Sequence, residues 1–253
     1  METGYSFVLV FLSYCISVLG SYTALKLAAG MVLSRDNTFW VWLLAAAFAL
    51  GGGGIWAMHF VGMLAYETPV DFGYDLGITM MSLVLAVAVV AVGLYIVALK
   101  PEGIGHLLAG GTVTGLGVTA MHYSGMAAMV MPGKLVYDPA LVGASMLIAI
   151  GAAICALWLA FNVRQSWQRI ASAMVMGFAV CGMHYTGMAA LHLQYNHDMS
   201  AMTPELMSYE ATLDPAVLAV IIAVVVVGLL VSLLVGTMAG YEEQRRLEAA
   251  RAR

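Results

Sequence analysis

CGMHYTGMAALH, residues 181–192, sets a histidine between two methionines inside an otherwise apolar run. An imidazole in lipid is costly unless it finds a partner. The pattern stands twice more upstream, as WAMHFVGMLA at 56–65 and TAMHYSGMAA at 119–128, beside CGMHYTGMAA at 181–190. The three histidines, His59, His122 and His184, are 63 and 62 residues apart. One helical hairpin accounts for each interval, so the chain reads as three repeated two-helix units followed by a seventh helix.

The composition agrees. Of 253 residues, 62% are hydrophobic and 9% charged, and the mean hydropathy is +0.93. A soluble domain carries nearer a quarter charged residues, about 25%. The expected fold class is therefore an all-α membrane protein with seven transmembrane helices. Apolar segments long enough to span a bilayer cover 6–30, 39–66, 77–99, 105–131, 141–162, 168–192 and 216–239. The second contains GGGG at 51–54, which predicts a kink or tilt. The N-terminus lacks a basic start and its apolar run is too long for a signal-peptide core, so it reads as a membrane helix. Cys15, Cys155 and Cys181 all lie in apolar runs, which argues against a disulfide framework. Residues 1–240 read as one membrane domain and 241–253, YEEQRRLEAARAR, as a helical tail.

Lysine and arginine set the expected orientation. With connections numbered alternately, one side receives Lys26, Arg35, Lys100, Arg164, Arg169, Arg245, Arg246, Arg251 and Arg253, and the other only Lys134. Nine of the fourteen acids fall on the Lys134 side. The N-terminus is thus expected outside and the C-terminus in the cytoplasm of a bacterial inner membrane. All three motifs then lie near the outer ends of helices two, four and six, with the histidines at one depth.

Counting from each histidine, glycine stands at −7 (Gly52, Gly115, Gly177) and +3 (Gly62, Gly125, Gly187). Methionine stands at −1 (Met58, Met121, Met183) and +4 (Met63, Met126, Met188). At about 100° per residue, −7, 0, +3 and +4 share a face. Glycine there lets helices approach closely, so three such faces are expected to converge. A lone HxxxM in a membrane helix is usually packing; three copies at one depth point to a shared site. Three imidazoles and three thioethers form a soft, neutral set that suits copper, particularly Cu(I), with the oxidation state left open. Calcium and magnesium want oxygen, and zinc is expected to use thiolate or carboxylate beside histidine. The metal candidates are His59, Met63, His122, Met126, His184 and Met188. Secondary candidates are Cys181, three residues before His184, His192, two turns beyond it, and the −1 methionines Met58, Met121 and Met183. The residues at +1 (Phe60, Tyr123, Tyr185) and +2 (Val61, Ser124, Thr186) are expected to orient the imidazoles. The acidic stretch with His197, Asp198, Met199, Met202, Glu205, Met207 and Glu210 reads as a solvated loop, and His106 as a cap or interfacial residue.

MHYT at 183–186, MHYS at 121–124 and MHFV at 58–61, each followed by GM, resemble the MHYT family of bacterial integral membrane sensor domains. The resemblance covers nearly the whole chain. It implies a membrane sensor that binds copper and detects oxygen, carbon monoxide or nitric oxide. Such domains are often fused to cytoplasmic diguanylate cyclase, cyclic-di-GMP phosphodiesterase or histidine kinase modules. Phe60 and Val61 depart from the pattern. Nucleotide-binding loops and catalytic carboxylate clusters are absent, so this chain is expected not to be an enzyme itself. The expected partners are the lipid bilayer, a diatomic gas and a cytoplasmic signalling module, fused or separate, with no nucleic acid; a homodimer stays open. Two other functions compete: a copper transport or insertion protein, and a haem or quinone redox protein.

Overall fold

The computed structural model describes residues 4–33, 38–67, 72–131, 134–163, 165–194 and 213–251. Seven helices are long and apolar enough to cross a bilayer. They are α1 (Phe7–Leu33), α2 (Thr38–Leu64), α3 (Leu76–Leu99), α4 (Ile104–Ala127), α5 (Pro139–Asn162), α6 (Ser166–Ala189) and α7 (Pro215–Arg251). Consecutive helices α1 to α6 pack side by side, and α6 packs back onto α1, closing a ring. Large apolar side chains such as Phe11, Met81, Leu147 and Phe178 are exposed around the perimeter, as a lipid-facing surface requires. The chain is a multi-pass membrane protein. The acidic stretch within 195–212 lies outside the described residues.

The repeat reaches down to single hydrogen bonds at one end of the bundle. Three two-residue to four-residue strand pairs cap it: β1 (Gly4–Tyr5) with β2 (Tyr66–Glu67), β3 (Gly73–Tyr74) with β4 (Met129–Val130), and β5 (Lys134–Tyr137) with β6 (Leu191–Gln194). Each ties the chain entering an odd helix to the chain leaving the even helix of the same hairpin. Below each ribbon one further bond repeats, from Ser6 N–H to Ala65 O, Asp75 N–H to Ala128 O and Asp138 N–H to Ala190 O. The carboxylates of Asp75 and Asp138 then cap α3 and α5 by accepting from Ile78 N–H and Ala140 N–H, both at 2.7 Å. These ribbons end α4 and α6 sooner than hydropathy predicts. Residues 129–130 and 191–192 fall inside the apolar segments, but their backbone groups are taken by the neighbouring strand.

In α2 the four glycines produce a widened turn rather than a kink. Phe48–Ala57 is a π-helix that leads directly into the motif at Met58–Leu64. Glycine is required because the neighbours lie against bare backbone. A Cβ on Gly51 would strike the Ala86 carbonyl of α3, and one on Gly53 the Leu229 side chain of α7. The Ser17 hydroxyl donates to Gly54 O at 2.7 Å, satisfying a carbonyl of the widened turn. Helix α7 lies outside the ring against α1 and this π segment.

Candidate metal centre

The even helices bring His59, His122 and His184 together on the axis of the ring. All three are buried, and one ring nitrogen from each lies within 4.8 Å of the others. The Nδ1 atoms face inward: His59 Nδ1 is 3.0 Å from His184 Nδ1 and 3.1 Å from His122 Nδ1. The rings stand edge to face, with centroids 4.9, 5.0 and 5.2 Å apart.

The +3 glycines explain how three imidazoles fit. A Cβ on Gly125 would overlap His59 Nε2, one on Gly187 would overlap His122 Nε2, and one on Gly62 would overlap His184 Nε2. Each histidine therefore sits on the glycine of another copy, first on second, second on third and third on first. The +3 glycine seats a ring, a different task from the close helix approach expected of it. The −7 glycines face odd helices instead: a Cβ on Gly115 would strike Ile150 backbone of α5, one on Gly177 Val18 of α1, and one on Gly52 would reach Leu83 of α3.

The aromatic residues at +1 do not hydrogen-bond the imidazoles. Phe60, Tyr123 and Tyr185 pack edge-on against His59, His122 and His184, at centroid distances of 4.8, 4.8 and 4.7 Å. Phenylalanine does this as well as tyrosine, which accounts for the departure in the first copy. The phenols reach outward, Tyr123 OH to Ser145 Oγ at 2.8 Å and Tyr185 OH to Ser13 Oγ at 3.0 Å. In the first copy the Trp56 indole N–H supplies the equivalent bond, to Ser82 Oγ at 3.0 Å. At +2, Ser124 Oγ donates back to Met121 O on its own helix. The +1 residues thus orient the rings by packing rather than by hydrogen bonds.

Ser13, Ser82 and Ser145 are site-supporting residues that motif reading missed. Each is buried, each donates to the carbonyl three residues earlier (Val10, Thr79, Val142), and each is the seventh residue of α1, α3 or α5. A tyrosine in the ribbon stands eight residues before each: Tyr5, Tyr74 and Tyr137. The frame Tyr-(Ser/Asp)-x6-Ser, at 5–13, 74–82 and 137–145, was a readable signal. These ribbon phenols stay neutral. Burial, with Tyr66 and Tyr185 adding to it, pushes Tyr5 up to about 12, and burial raises Tyr74 and Tyr137 as well.

Met63, Met126 and Met188 are buried on the motif helices, and so are Met58, Met121 and Met183; burial alone does not separate the two sets. Cys181 is buried with a free thiol and is not among the mutually near ligand atoms. His192 is exposed on β6 opposite Val136, off the helical face on which it was expected. His106 is half-buried near the start of α4, at the far end from the cluster.

The cluster fits a metal ion on three counts. First, an ion about 2.0 Å from three nitrogens sets them roughly 3.3–3.5 Å apart, close to the 3.0 and 3.1 Å observed. Second, all three Nε2 atoms are buried without a hydrogen-bond partner. Three neutral imidazoles carry three N–H groups and three lone pairs, and no tautomer assignment can pair them all. With the protons on Nε2, three lone pairs converge on one point. Third, among the described residues no carboxylate or thiolate joins the cluster.

Comparison with known proteins agrees with this three-part construction. The family described as "MHYT: Bacterial signalling protein N terminal repeat" matches residues 52–111, 115–173 and 177–243. Each unit opens on or near the −7 glycine. The third unit runs into α7, whose opening LDPAVL at 213–218 resembles YDPALV at 137–142 before α5. In sequence α7 thus corresponds to α3 and α5, while in space α1 takes the place beside α6. The chain is 47% identical over 193 residues to the bifunctional diguanylate cyclase/cyclic di-GMP phosphodiesterase MucR of Pseudomonas aeruginosa, covering 74% of this chain and 28% of that protein. It is 41% identical over 197 residues to the cyclic di-GMP phosphodiesterase NbdA of the same organism, covering 75% and 25%. It is 33% identical over 193 residues to the signaling protein YkoW of Bacillus subtilis, covering 74% and 24%. The chain matches about a quarter of the length of these curated relatives. No solved structure matches. With three family repeats laid over three interlocked histidine motifs, the chain belongs to the MHYT family of bacterial signalling-protein N-terminal repeats.

Proposed function

We propose that this chain is a membrane sensor unit whose three-histidine centre holds one copper ion, reads a diatomic gas (oxygen, carbon monoxide or nitric oxide), and reports inward through α7. The observation that carries the reading is the cyclic seating of three imidazoles with their Nδ1 atoms convergent and their Nε2 atoms walled in. His59, His122 and His184 would supply the ligands, with Met63, Met126 and Met188 as candidate thioether donors. The −1 methionines Met58, Met121 and Met183 remain secondary candidates, while Cys181 and His192 lie apart from the cluster. Copper bound there would supply an electron-rich centre able to take a small π-acceptor ligand.

Charge favours Cu(I). The imidazoles are neutral and the phenols above them stay protonated, so the site's charge is that of the ion. Born energy grows with the square of charge, so a doubly charged ion costs about four times as much to bury as a singly charged one. The imidazoles are in mutual contact, which leaves no room between them for a haem. The output route is α7: its Leu229 lies against Gly53, in the π segment six residues before His59. The positive-inside distribution supports an outer position for the centre and a cytoplasmic end for α7, where residues 241–253 would meet a fused or separate signalling module such as those named in MucR and NbdA.

Metal analysis of the purified chain beside the His59→Ala/His122→Ala/His184→Ala variant tests the reading. About one copper per wild-type chain and none in the variant are expected. Equal metal in both, or a Soret absorption band, would refute it. Infrared spectroscopy under carbon monoxide tests gas binding: a metal-carbonyl band is expected in wild type alone.

A further inference from the structure

At the end of the bundle opposite the histidines, the seam where α6 closes onto α1 carries a groove open to the perimeter. Its walls are Tyr14, Val18 and Tyr22 of α1 and Ile170, Ala173 and Met174 of α6. From Tyr14 to Tyr22 is eight residues, about 12 Å along a helix, close to the depth of one leaflet of hydrocarbon. One turn past Tyr22 stands Lys26, its ammonium 5.8 Å from the Tyr22 ring centroid. Beside it is Arg169, near enough that the two charges repel. Arg169 lies in the first turn of α6, where the helix dipole is already positive and no acidic residue stands. Its Nε is buried without a hydrogen-bond partner. Among the side chains that the structure describes, no carboxylate pairs with either cation. Two cations and a helix N-terminus thus meet at the head of an apolar groove, with no counter-charge among the described side chains.

We infer that this seam binds an anionic phospholipid, with the phosphate between Lys26 and Arg169 and an acyl chain along the groove. Charge complementarity selects the occupant: the cations want an anion, and the walls want hydrocarbon connected to it. A bilayer lipid brings both and reaches the groove sideways. Its site is separate from the histidine centre and does not depend on the metal. Bound there, the lipid would brace the contact that closes the ring.

The test uses the full chain in detergent, with native mass spectrometry to follow phosphatidylglycerol and phosphatidylcholine of identical acyl chains. Wild type should retain phosphatidylglycerol and release phosphatidylcholine. Lys26→Gln or Arg169→Gln should weaken retention about fivefold each and the double variant about thirtyfold, from about 1 kcal/mol per cation. Met174→Trp, which narrows the groove at an exposed position and leaves both charges, should also weaken retention. Equal retention of the two lipids would overturn the inference. So would undiminished binding in the single cation variants or in Met174→Trp, or displacement of the lipid by millimolar inorganic phosphate.

Discussion

Gly125→Ala should empty the proposed copper centre without unfolding the protein. A Cβ at residue 125 would stand 2.9 Å from His59 Cδ2 and closer still to Nε2, where ordinary contact begins at 3.4 Å. The backbone of α4 is held in the ring, so the imidazole is the part that yields. It must retreat about 1 Å, and overpacking of this kind typically destabilises by about 1–3 kcal/mol. Metal–ligand distances tolerate only about 0.2 Å, so a retreat of that size removes one of three ligands. Copper per chain should fall by at least tenfold, while circular dichroism stays that of a helical bundle. Gly182→Ala is the control. It lies on α6, two residues before His184, and a Cβ there meets nothing within 4 Å. Alanine at an open helical site gains about 1 kcal/mol over glycine, so Gly182→Ala should keep its copper and melt no lower. Because the seating is cyclic, Gly62→Ala and Gly187→Ala should repeat the Gly125→Ala result through His184 and His122. Full copper in Gly125→Ala, or an equal loss in Gly182→Ala, would refute the reasoning.

Four other outcomes follow from the same structure. Tyr123→Phe should leave copper content unchanged and lower stability by about 1 kcal/mol, since only the bond to Ser145 is lost; thermal melts and metal analysis read the two effects separately. Met126→Leu preserves volume and removes a sulfur, so if the +4 thioethers are ligands it should bind less Cu(I) while Met121→Leu loses little; unchanged copper in Met126→Leu would remove the +4 methionines from the ligand set, and equal loss in both would show that the face assignment is wrong. An alkaline-phosphatase reporter after Arg253 should be inactive and a cytoplasmic reporter active; the reverse would invert the proposed orientation. The raised Tyr5 phenol contributes stability that is full below its unfolded value of 10.0 and is lost as pH climbs towards about 12, so Tyr5→Phe should flatten the alkaline end of the melting curve.

The sequence disclosed the repeat, the seven crossings and the three histidines because each rests on periodicity or hydropathy. It misled where a backbone partner decides the outcome. Residues 129–130 and 191–192 look like helix ends, yet cross-strand pairing takes them out of the helix and carries His192 off the expected face. Phe60 looked like a lapse in the motif; the contact that matters is the ring edge, which phenylalanine retains, and Trp56 replaces the missing hydroxyl. The glycine run at 51–54 signalled an irregularity without its kind, since a widened turn depends on what Ser17, Ala86 and Leu229 bring against it. Ser13, Ser82 and Ser145 were passed over because a serine inside a membrane helix usually only back-bonds to its own carbonyl. Their significance lies in a second bond made to the neighbouring helix of the ring.

The closure of α6 onto α1 also governs when the centre can exist. Ser13 and its partner Tyr185 are 172 residues apart. At a synthesis rate of about 5–20 residues per second, α1 waits roughly 10–30 seconds in the membrane before α6 arrives. The third histidine arrives with that same helix, and each imidazole needs a glycine from another copy for its seat. No half-inserted chain therefore offers a finished ligand set. Assembly of the three-histidine cluster therefore waits for the sixth helix, and a chain arrested after four helices carries only His59 and His122.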